Sequence, residues 1–418
     1  MNVRAIVLAA GKGTRMKSDT PKVLHELCGR PMLWYVLASL RAAGIEEIVV
    51  VTNPELDPFV AALGVRGIIQ EQQLGTGHAV QVALREMRED VNGRVLIAYG
   101  DMPLVHGDVY RAVLAALDDQ GRQASLAIVT ARMPLPSNFG RVIRNGDSVQ
   151  RIVEVKDASP QELSVNEMNA GIYAYDEAAL RDAIADLRND NAQKEYYLTD
   201  TIEMFVKDGK RVAPVVAEDH RHVLGINDRV ELAEARREMN QRLCAQYMRD
   251  GVTIVDPLTT YLEPELHIGR DSVVYHNTAI GRLSEIGECC VVGPNTRLSN
   301  AKIADNVAVR ESVIIDSEIG SGVTIGPFAH VRAGAVLGDD VHIGNFVEVK
   351  KSTLGAGVKA GHLSYLGDAT IGENSNIGAG TITCNYDGVK KNPTTIGKDV
   401  FIGSNTSLVA PVTVGDGA

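Results

Sequence analysis

The second half of the chain repeats an aliphatic residue at steps of six positions, usually with glycine behind it, and this repeat constrains the fold more than any other feature. The positions that follow the step, in blocks separated by irregular stretches, are Ile268, Ile280, Ile286, Val292, Leu298, Ile319, Ile325, Val331, Leu337, Ile343, Ile371, Ile377, Ile396, Ile402, Leu408 and Val414. A period of six over this length is the hexapeptide signature of a parallel β-helix. Each aliphatic side chain is expected to point into the prism, and the glycine eases the turn at each corner.

The six-residue step fails between Ile377 and Ile396, where the chain reads C-N-Y-D-G-V-K-K-N-P from Cys384. Asn, Asp, Gly and Pro are turn residues, so this segment predicts a loop that leaves the prism. Loops on a rigid scaffold often carry function.

The first half of the chain alternates short apolar segments with helical ones. Residues 48–52 and 94–99 have strand composition, whereas residues 79–88 have a helical pattern. This alternation predicts a parallel or mixed sheet covered by helices. Residues 229–250, rich in Glu, Ala, Arg and Leu, predict a helical linker, so we expect domains at 1–228 and 251–418.

A glycine loop follows the first apolar strand. The string L-A-A-G-K-G-T-R-M begins at Leu8, and the loop brings three cations, Lys12, Arg15 and Lys22, close to glycine backbone. Exposed N–H groups beside cations suit a phosphate chain, which predicts a nucleoside triphosphate site. The P-loop motif is absent, and Met16 stands where the dinucleotide fingerprint needs its third glycine.

Composition narrows the functional class. A net charge of −11 over 418 residues argues against a general nucleic-acid binder, so an anionic substrate must be held by local cations. The chain has 45% apolar and 23% charged residues, as a globular protein does, and no apolar run long enough to predict a membrane span. Five cysteines without a C-x-x-C pair predict reduced thiols in a cytoplasmic protein.

The glycine string, together with Pro21-Lys22, resembles the signature of the sugar-1-phosphate nucleotidyltransferases. The resemblance implies a Rossmann-like α/β domain in which a sugar-1-phosphate oxygen attacks the α-phosphorus of a nucleotide and pyrophosphate leaves. Arg15 and Lys22 would neutralise the developing charge. The residues that match the family's nucleotide and sugar contacts are Leu8, Ala9, Ala10, Gly11, Lys22, Gln70, Gly75, Thr76, Tyr99, Gly100, Asp101, Gly140, Glu154, Asn169 and Asn227.

Two of these residues are candidate magnesium ligands. Asp101 follows the apolar segment 94–99, and the resemblance implies that an aspartate in the context Y-G-D-M-P-L binds Mg²⁺. Asn227 is the second candidate, although an N-cap of the linker helix is an equally good interpretation of its local sequence. His78 is interpreted as a packing residue, because the reaction needs no protein nucleophile.

A second group of polar residues interrupts the Val/Gly background of the repeats. The strings A-G-H-L-S-Y-L-G-D and C-N-Y-D-G, with the front half, resemble the family of bifunctional bacterial enzymes that make UDP-N-acetylglucosamine. The resemblance implies acetyl transfer from acetyl-CoA to glucosamine-1-phosphate, then uridylyl transfer from UTP to N-acetylglucosamine-1-phosphate. The resemblance also implies that His362 is the general base, that Glu348 orients His362, and that Ser404 lies near the thioester of acetyl-CoA. The sugar phosphate would be held by Arg332, Lys350, Tyr365, Asn376, Asn385 and Tyr386.

The same resemblance implies a left-handed β-helix that assembles as a homotrimer, with acetyl-transfer sites between prisms. Family members continue beyond the residue that matches Ala418 through further coils and an arm that complete acetyl-CoA binding, so we expect impaired acetyl transfer in a chain of this length. Two alternatives stay open. One is an adenylyl- or guanylyltransferase of sugar-1-phosphates with a structural tail, and the other is a scaffold protein, for which a degraded phosphate loop would be expected.

Overall fold

The computed structural model describes residues 2–121, 124–191 and 193–418. The chain divides into two compact units, Met1–Ala235 and Arg236–Ala418. The division falls inside a long helix, α8, whose bounds are Arg229–Arg249. The predicted boundaries at 228 and 250 stay predictions.

The first unit alternates strands and helices. Its strands are β1 (Val3–Leu8), β2 (Glu26–Leu27), β3 (Arg30–Pro31), β4 (Glu47–Thr52), β5 (Arg66–Ile69), β6 (Arg94–Tyr99), β7 (Leu126–Arg132), β8 (Arg141–Asn145), β9 (Ser148–Val153), β10 (Glu167–Asp176) and β11 (Val212–Val216). Its α-helices are α1 (Met32–Ala42), α2 (Asp57–Ala62), α3 (Thr76–Glu86), α4 (Gly107–Ala115), α5 (Pro160–Leu163), α6 (Glu177–Ala185) and α7 (Asp200–Lys207).

The main sheet of this unit is mixed, as the sequence predicts. Its order in the described residues is β11-β7-β10-β6-β1-β4-β5, with β8 and β9 joined at the side of β10. Strand β10 runs antiparallel to both β6 and β7, while β1 is parallel to β4 and β6.

Both faces of the sheet are buried, because successive residues of a strand point to opposite sides. In β1, Ala5 and Val7 belong to one hydrophobic cluster, and Ile6 and Leu8 belong to the other. A continuous apolar strand such as Val3–Leu8 is therefore the composition expected of a central strand covered by helices on both faces.

Register places two loops side by side. Leu8 at the end of β1 pairs with Tyr99 at the end of β6, and the Gly100 amide donates to the Leu8 carbonyl at 2.9 Å. The glycine loop and the segment that carries Asp101 consequently leave the sheet at the same edge, beyond the carboxyl ends of parallel strands, where ligands bind in such sheets.

The second unit is a parallel β-helix, which confirms the prediction from the repeat. Its strands are β12 (Thr253–Ile254), β13 (Tyr261–Leu262), β14 (His267–Ile268), β15 (Val273–Val274), β16 (Ala279–Ile280), β17 (Glu285–Ile286), β18 (Val291–Val292), β19 (Arg297–Ile303), β20 (Ala308–Val309), β21 (Val313–Ile319), β22 (Thr324–Ile325), β23 (His330–Arg332), β24 (Val336–Leu337), β25 (His342–Asn345), β26 (Glu348–Lys350), β27 (Thr353–Leu354), β28 (Lys359–His362), β29 (Tyr365–Gly367), β30 (Ala369–Ile371), β31 (Asn376–Ile377), β32 (Ile382–Cys384), β33 (Thr394–Ile396), β34 (Phe401–Ile402), β35 (Ser407–Val409) and β36 (Val412–Val414).

Within residues 253–402, all of them described, one face of the prism is a nine-stranded sheet with one strand from each coil, in the order β12-β15-β18-β20-β22-β25-β28-β31-β34. The remaining strands form a 16-stranded sheet. The interior is one aliphatic cluster that contains the repeat residues, for example Ile280, Val292, Ile325 and Ile343.

The interruption after Ile377 is a loop, as predicted. It leaves the prism after β32 and returns at β33, and a bridge between Tyr386 and Lys391 closes it. The insertion lengthens one coil. The Val400 amide donates to the hydroxyl of Ser375, 25 positions earlier, whereas the His362 imidazole contacts Asn345 only 17 positions earlier.

Helix α8 begins after Asp228, whose carboxylate accepts hydrogen bonds from the backbone amides of Val230 and Glu231 at 2.8 and 2.9 Å. Asp228 is therefore the N-cap, which leaves the side chain of Asn227 available for another contact. No helix in the described residues combines the length and apolar composition that crossing a membrane requires.

Candidate functional site

A cavity of about 300 Å³ opens at the carboxyl ends of β1 and β6. Ten of the residues predicted to contact nucleotide or sugar line it, namely Leu8, Ala9, Ala10, Gly11, Lys22, Gln70, Gly75, Thr76, Tyr99 and Asp101. Gly13, Gln73 and Glu195 line it as well. The structure thus brings most of the predicted nucleotide residues into one concave site.

The glycine loop lies directly against Lys22. Gly13 has a φ of 57°, and a Cβ atom there would lie 2.5 Å from the Lys22 Cβ. Only glycine permits both the left-handed backbone and the close approach. Lys12 and Arg15 are exposed on this loop, while Lys22 is half-buried. The loop therefore offers cations at its rim and one cation at its base.

Four predicted residues meet at that base. The Lys22 ammonium forms an ion pair with the Asp101 carboxylate and donates to the Asn227 Oδ1 at 2.9 Å. The Arg15 guanidinium donates to the same Asn227 oxygen at 2.8 Å. Asn227 itself is oriented by a hydrogen bond of 3.1 Å from its side-chain nitrogen to the Gly225 carbonyl. The arrangement brings side-chain oxygens from the middle and the end of the unit's sequence to one ammonium group.

The donor set fits a magnesium ion. The Asp101 carboxylate and the Asn227 amide oxygen both contact the Lys22 ammonium, so the two oxygens are close enough to share one small cation. Mg²⁺ prefers oxygen ligands and commonly takes one or two from the protein.

One wall of the cavity is built around Gly75. Gly75 has a φ of 104°, and a Cβ atom there would lie 2.6 Å from the Tyr196 carbonyl oxygen. The Gly77 amide donates to the same carbonyl at 2.7 Å, and the Thr76 hydroxyl accepts from the Leu198 amide at 3.1 Å. The start of α3 is thereby fixed against residues 195–198.

The predicted sugar contacts form a neighbouring group. The Asn169 amide donates to the Gly140 carbonyl at 2.9 Å, and a Cβ atom on Gly140 would lie 3.2 Å from a Glu154 carboxylate oxygen. The Asn169 side-chain nitrogen lies 2.6 Å from the hydroxyl of Tyr173. Gly140, Glu154 and Asn169 therefore lie together, as the resemblance implies.

Tyr99 connects the sugar group to the candidate metal ligands. Burial raises the pKa of Tyr99 above its ordinary value, and the charges of Asp101 and Glu154 raise it further, so the phenol is neutral. Burial also raises the pKa of Glu154, with added repulsion from Asp157 and Asp200. The sugar group thus contains a carboxyl group in an environment that disfavours its charge.

The second candidate site lies on three successive strands of the prism. Arg332 on β23 is in register with Lys350 on β26, and Glu348 on β26 is in register with Tyr365 on β29. The Arg332 guanidinium donates to the Glu348 carboxylate at 2.7 Å. Four predicted residues therefore occupy one patch of the 16-stranded sheet.

The imidazole of His362 contacts Asn345, a residue that was not among the predictions. Its Nδ1 lies 2.7 Å from the Asn345 Oδ1 on the preceding coil. Glu348, predicted to orient His362, is paired with Arg332, and its orienting role stays a prediction. The six-residue repeat does not identify Asn345, because the two residues are 17 positions apart.

Two further residues join this patch from neighbouring segments. The Lys391 ammonium beside Lys350, more than Arg332, holds the pKa of Lys350 below its ordinary value. Asp368 accepts a hydrogen bond of 2.5 Å from the side-chain nitrogen of Asn385. Lys391 and Asp368 were missed because no repeat pattern relates them to the strands that they contact.

Three predicted residues lie on a different face. His362 ends β28, Asn376 is in β31 and Ser404 follows β34, and all three strands belong to the nine-stranded sheet. Tyr386 lies on the inserted loop, where its hydroxyl donates to the Gly388 carbonyl at 2.7 Å. A single chain therefore distributes the predicted acetyl-transfer residues over more than one surface.

Comparison with protein families matches both units. Residues 5–247 match the MobA-like NTP transferase domain, residues 259–354 match the GMPPB C-terminal domain, and residues 393–418 match the hexapeptide repeat of succinyl-transferase.

Relatives match the chain over almost all of its length. The protein named bifunctional protein GlmU from Acetivibrio thermocellus is 45% identical over 99% of this chain and 90% of its own length. Those of the same name from Geobacillus sp. and Exiguobacterium sibiricum are 46% and 45% identical over 99% and 100% of this chain and 90% and 93% of their own lengths. This chain belongs to the GlmU family of bifunctional proteins.

Proposed function

We propose that the chain makes UDP-N-acetylglucosamine in two steps. It transfers acetyl from acetyl-CoA to glucosamine-1-phosphate, and it then transfers uridylyl from UTP to N-acetylglucosamine-1-phosphate with release of pyrophosphate. Membership of the GlmU family over nearly the whole chain supports both steps. The observation that carries the second step is the meeting of Lys22, Asp101 and Asn227 at the base of the glycine loop.

Uridylyl transfer needs positioning and charge stabilisation rather than a protein nucleophile. The sugar phosphate oxygen attacks the α-phosphorus, the bond to the bridging oxygen breaks, and pyrophosphate takes the electron pair. Lys22 and Arg15 lie where they can neutralise charge that builds on the phosphate oxygens. The same logic governs transfer of a γ-phosphoryl group.

Asp101 and Asn227 would hold the magnesium ion. The ion would supply positive charge to the triphosphate oxygens when bound. The ion pair between Lys22 and Asp101 keeps the carboxylate in place until then, and Asn227 is held by its contact with Gly225.

The sugar end of the substrate would lie against Gly140, Glu154 and Asn169. Their amide, carbonyl and carboxyl groups match the hydroxyl and N-acetyl groups of N-acetylglucosamine. The charges of Asp101 and Glu154 both act on Tyr99, so the neutral phenol lies near both carboxyl groups.

Acetyl transfer would use His362 as the general base. Because the Asn345 oxygen accepts from Nδ1, the lone pair of His362 lies on Nε2. The sugar amine attacks the thioester carbonyl carbon, its proton goes to Nε2, and the carbon–sulfur bond breaks to release coenzyme A as the thiol after protonation. Arg332, Lys350 and Lys391 supply the positive charge that a sugar phosphate needs.

A homotrimer would complete the acetyl-transfer site. His362 and Asn376 lie in the nine-stranded sheet, which Ser404 follows, whereas Arg332, Lys350 and Tyr365 lie in the 16-stranded sheet. Contributions from neighbouring prisms would bring the two sets together, and closed symmetry is the usual form of such assemblies.

Pyrophosphate release is the experiment that tests the main proposal. The chain is mixed with Mg²⁺, N-acetylglucosamine-1-phosphate and UTP, ATP or GTP in turn, and we expect release with UTP. Release with ATP or GTP but not UTP would instead support the adenylyl- or guanylyltransferase alternative. Thiol release from acetyl-CoA in the presence of glucosamine-1-phosphate tests the first step.

A further inference from the structure

The side chain of Gln70 lies in the cavity wall with its amide nitrogen already engaged. Gln70 follows β5 and is only 4% exposed. Its Nε2 lies 3.3 Å from the Gly75 carbonyl oxygen and 3.0 Å from the Nδ1 of His78. Its backbone amide donates to the Thr52 carbonyl at 2.8 Å, which fixes the position of the residue.

The two neighbours determine which way the amide faces. A backbone carbonyl can only accept, so the atom of Gln70 beside the Gly75 oxygen must be the nitrogen. The same nitrogen then needs an acceptor on His78, which means that Nδ1 carries the lone pair.

The imidazole of His78 is also held by a hydrogen bond to the backbone of Gln72. Burial, followed by the charge of Arg85, lowers the pKa of His78, so the ring is neutral at neutral pH. The positive charge of Arg85 opposes protonation of the imidazole. The neutral ring keeps the lone pair on Nδ1 with which it accepts a hydrogen bond from Gln70.

The carbonyl oxygen of Gln70 remains for a ligand. Among the residues that the structure describes, none donates a hydrogen bond to the Gln70 Oε1, and Gln70 lines the same cavity as Gly75 and Thr76. A fixed acceptor in a base pocket attracts the N3–H of uracil. It opposes the bare N3 of cytosine in the same pose, because two acceptors then face each other.

We propose that His78 is a positioning residue that holds the Gln70 amide with its oxygen towards the nucleobase, so that the cavity selects a pyrimidine with a ring N–H over one without it. This inference rests on the proposed uridylyl transfer. His78 does not touch the reacting atoms; it acts through Gln70, and without it the amide can turn and present a donor to cytosine.

Selectivity between UTP and CTP is the measurement that separates this role from packing. Pyrophosphate release is measured with N-acetylglucosamine-1-phosphate and Mg²⁺ for the wild type, His78→Leu, His78→Asn, Gln70→Ala and the double variant His78→Leu/Gln70→Ala. We expect His78→Leu to lower kcat/KM for UTP about tenfold through KM, with kcat nearly unchanged, and to lower the UTP/CTP ratio by about the same factor. The His78→Asn variant, whose side-chain oxygen can replace Nδ1 as acceptor, should recover part of the ratio.

The double variant tests whether the two residues act as one unit. If His78 works through Gln70, the double variant should be no worse than Gln70→Ala alone. Effects that multiply, or a UTP/CTP ratio that His78→Leu leaves unchanged, would overturn the proposal. A wild-type chain without UTP-dependent release would instead overturn the uridylyl-transfer function itself.

A measurement on the wild type keeps the proposal testable if His78→Leu fails to fold. The ¹⁵N chemical shifts of His78, assigned by their loss in His78→Asn, report the tautomer at pH 7.5. A proton on Nε2 is expected, and a proton on Nδ1 would overturn the proposal.

Discussion

Lys22 donates a hydrogen bond to the side-chain oxygen of Asn227 at 2.9 Å, although 205 positions separate the two residues in the chain. One end of the nucleotidyltransferase unit thus holds the other at the base of the glycine loop. The contact is possible because Asp228, and not Asn227, caps helix α8.

Replacing Lys22 with alanine should lower the turnover of pyrophosphate release by ~10²-fold or more, because the charge on the phosphate oxygens would lose its nearest half-buried cation. Stopped assays with UTP at saturation measure this. Lys207→Ala, at an exposed position on α7, is the matched control and should keep wild-type turnover. Near-normal turnover of the Lys22 variant would remove Lys22 from the catalytic role.

Replacing Asp101 with asparagine should raise the Mg²⁺ concentration needed for half-maximal activity and lower turnover by ~10²-fold, because a neutral amide binds the ion more weakly. A titration of MgCl₂ after treatment with a chelator gives both values. Asp182→Asn, exposed on α6, controls for the change of charge alone. An unchanged Mg²⁺ requirement would argue against Asp101 as a ligand.

Replacing Gly75 with alanine should raise the KM for UTP at least tenfold and lower the melting temperature, since the new Cβ would lie 2.6 Å from the Tyr196 oxygen. Gly209→Ala is the matched control: Gly209 also has a positive φ, of 71°, but a Cβ there meets nothing within 4 Å. Both variants carry backbone strain, so only the difference between them reports the clash. Equal KM values would show that the wall tolerates the methyl group.

The raised pKa of Glu154 predicts how stability depends on pH. Its folded-state pKa exceeds the ordinary value of 4.5, so the native state binds the proton more tightly. The unfolding free energy should therefore fall as pH rises from about 4.5 through the raised value, and Glu154→Gln should remove that part of the slope. Urea denaturation between pH 4 and 7 measures it through Trp34, the single tryptophan, which lies in α1 of this unit.

The exposed Glu89 supplies the control for this measurement. Glu89→Gln should leave the slope of unfolding free energy against pH as in the wild type. If Glu154→Gln also left it unchanged, the carboxyl group of Glu154 would titrate alike in the folded and unfolded chain.

Replacing His362 with alanine should lower acetyl transfer by ~10²- to 10⁴-fold and leave pyrophosphate release intact. Asn345→Ala should lower acetyl transfer about tenfold, because the imidazole would lose the acceptor that fixes its tautomer. His342→Ala is the matched control, since this exposed histidine makes a hydrogen bond of the same 2.7 Å length to Thr324. Thiol release from acetyl-CoA is the readout, and equal effects at residues 342 and 345 would contradict the role of Asn345.

The sequence was enough to predict the prism and the mixed sheet, because both depend on local pattern. The six-residue step identifies buried aliphatics such as Ile280 and Ile343, and the apolar run in Val3–Leu8 identifies a central strand. Such periodicity follows directly from the side-chain geometry of strands and coils.

Side-chain partners were harder to predict, because they depend on register between distant segments. Asn345 meets His362 only when coils of 17 residues are stacked, and the repeat of six does not give that spacing. Lys391 reaches Lys350 from an inserted loop, whose path no periodicity describes. That Asp228 caps the helix in place of Asn227 was hard to predict for another reason, since adjacent residues of similar chemistry compete for one position.

The ladder of the prism also bears on how its length can change. Val274 pairs with Ile254 on one side and with Val292 on the other. Within its sheet, the strand that carries Val274 is therefore paired only with the strands of the coils directly before and after it. Deleting one complete turn of the spiral would bring two matching edges into contact, whereas deleting a single residue would turn an aliphatic side chain towards water. Whole turns are therefore the natural increments by which such a rod can be shortened or extended during evolution.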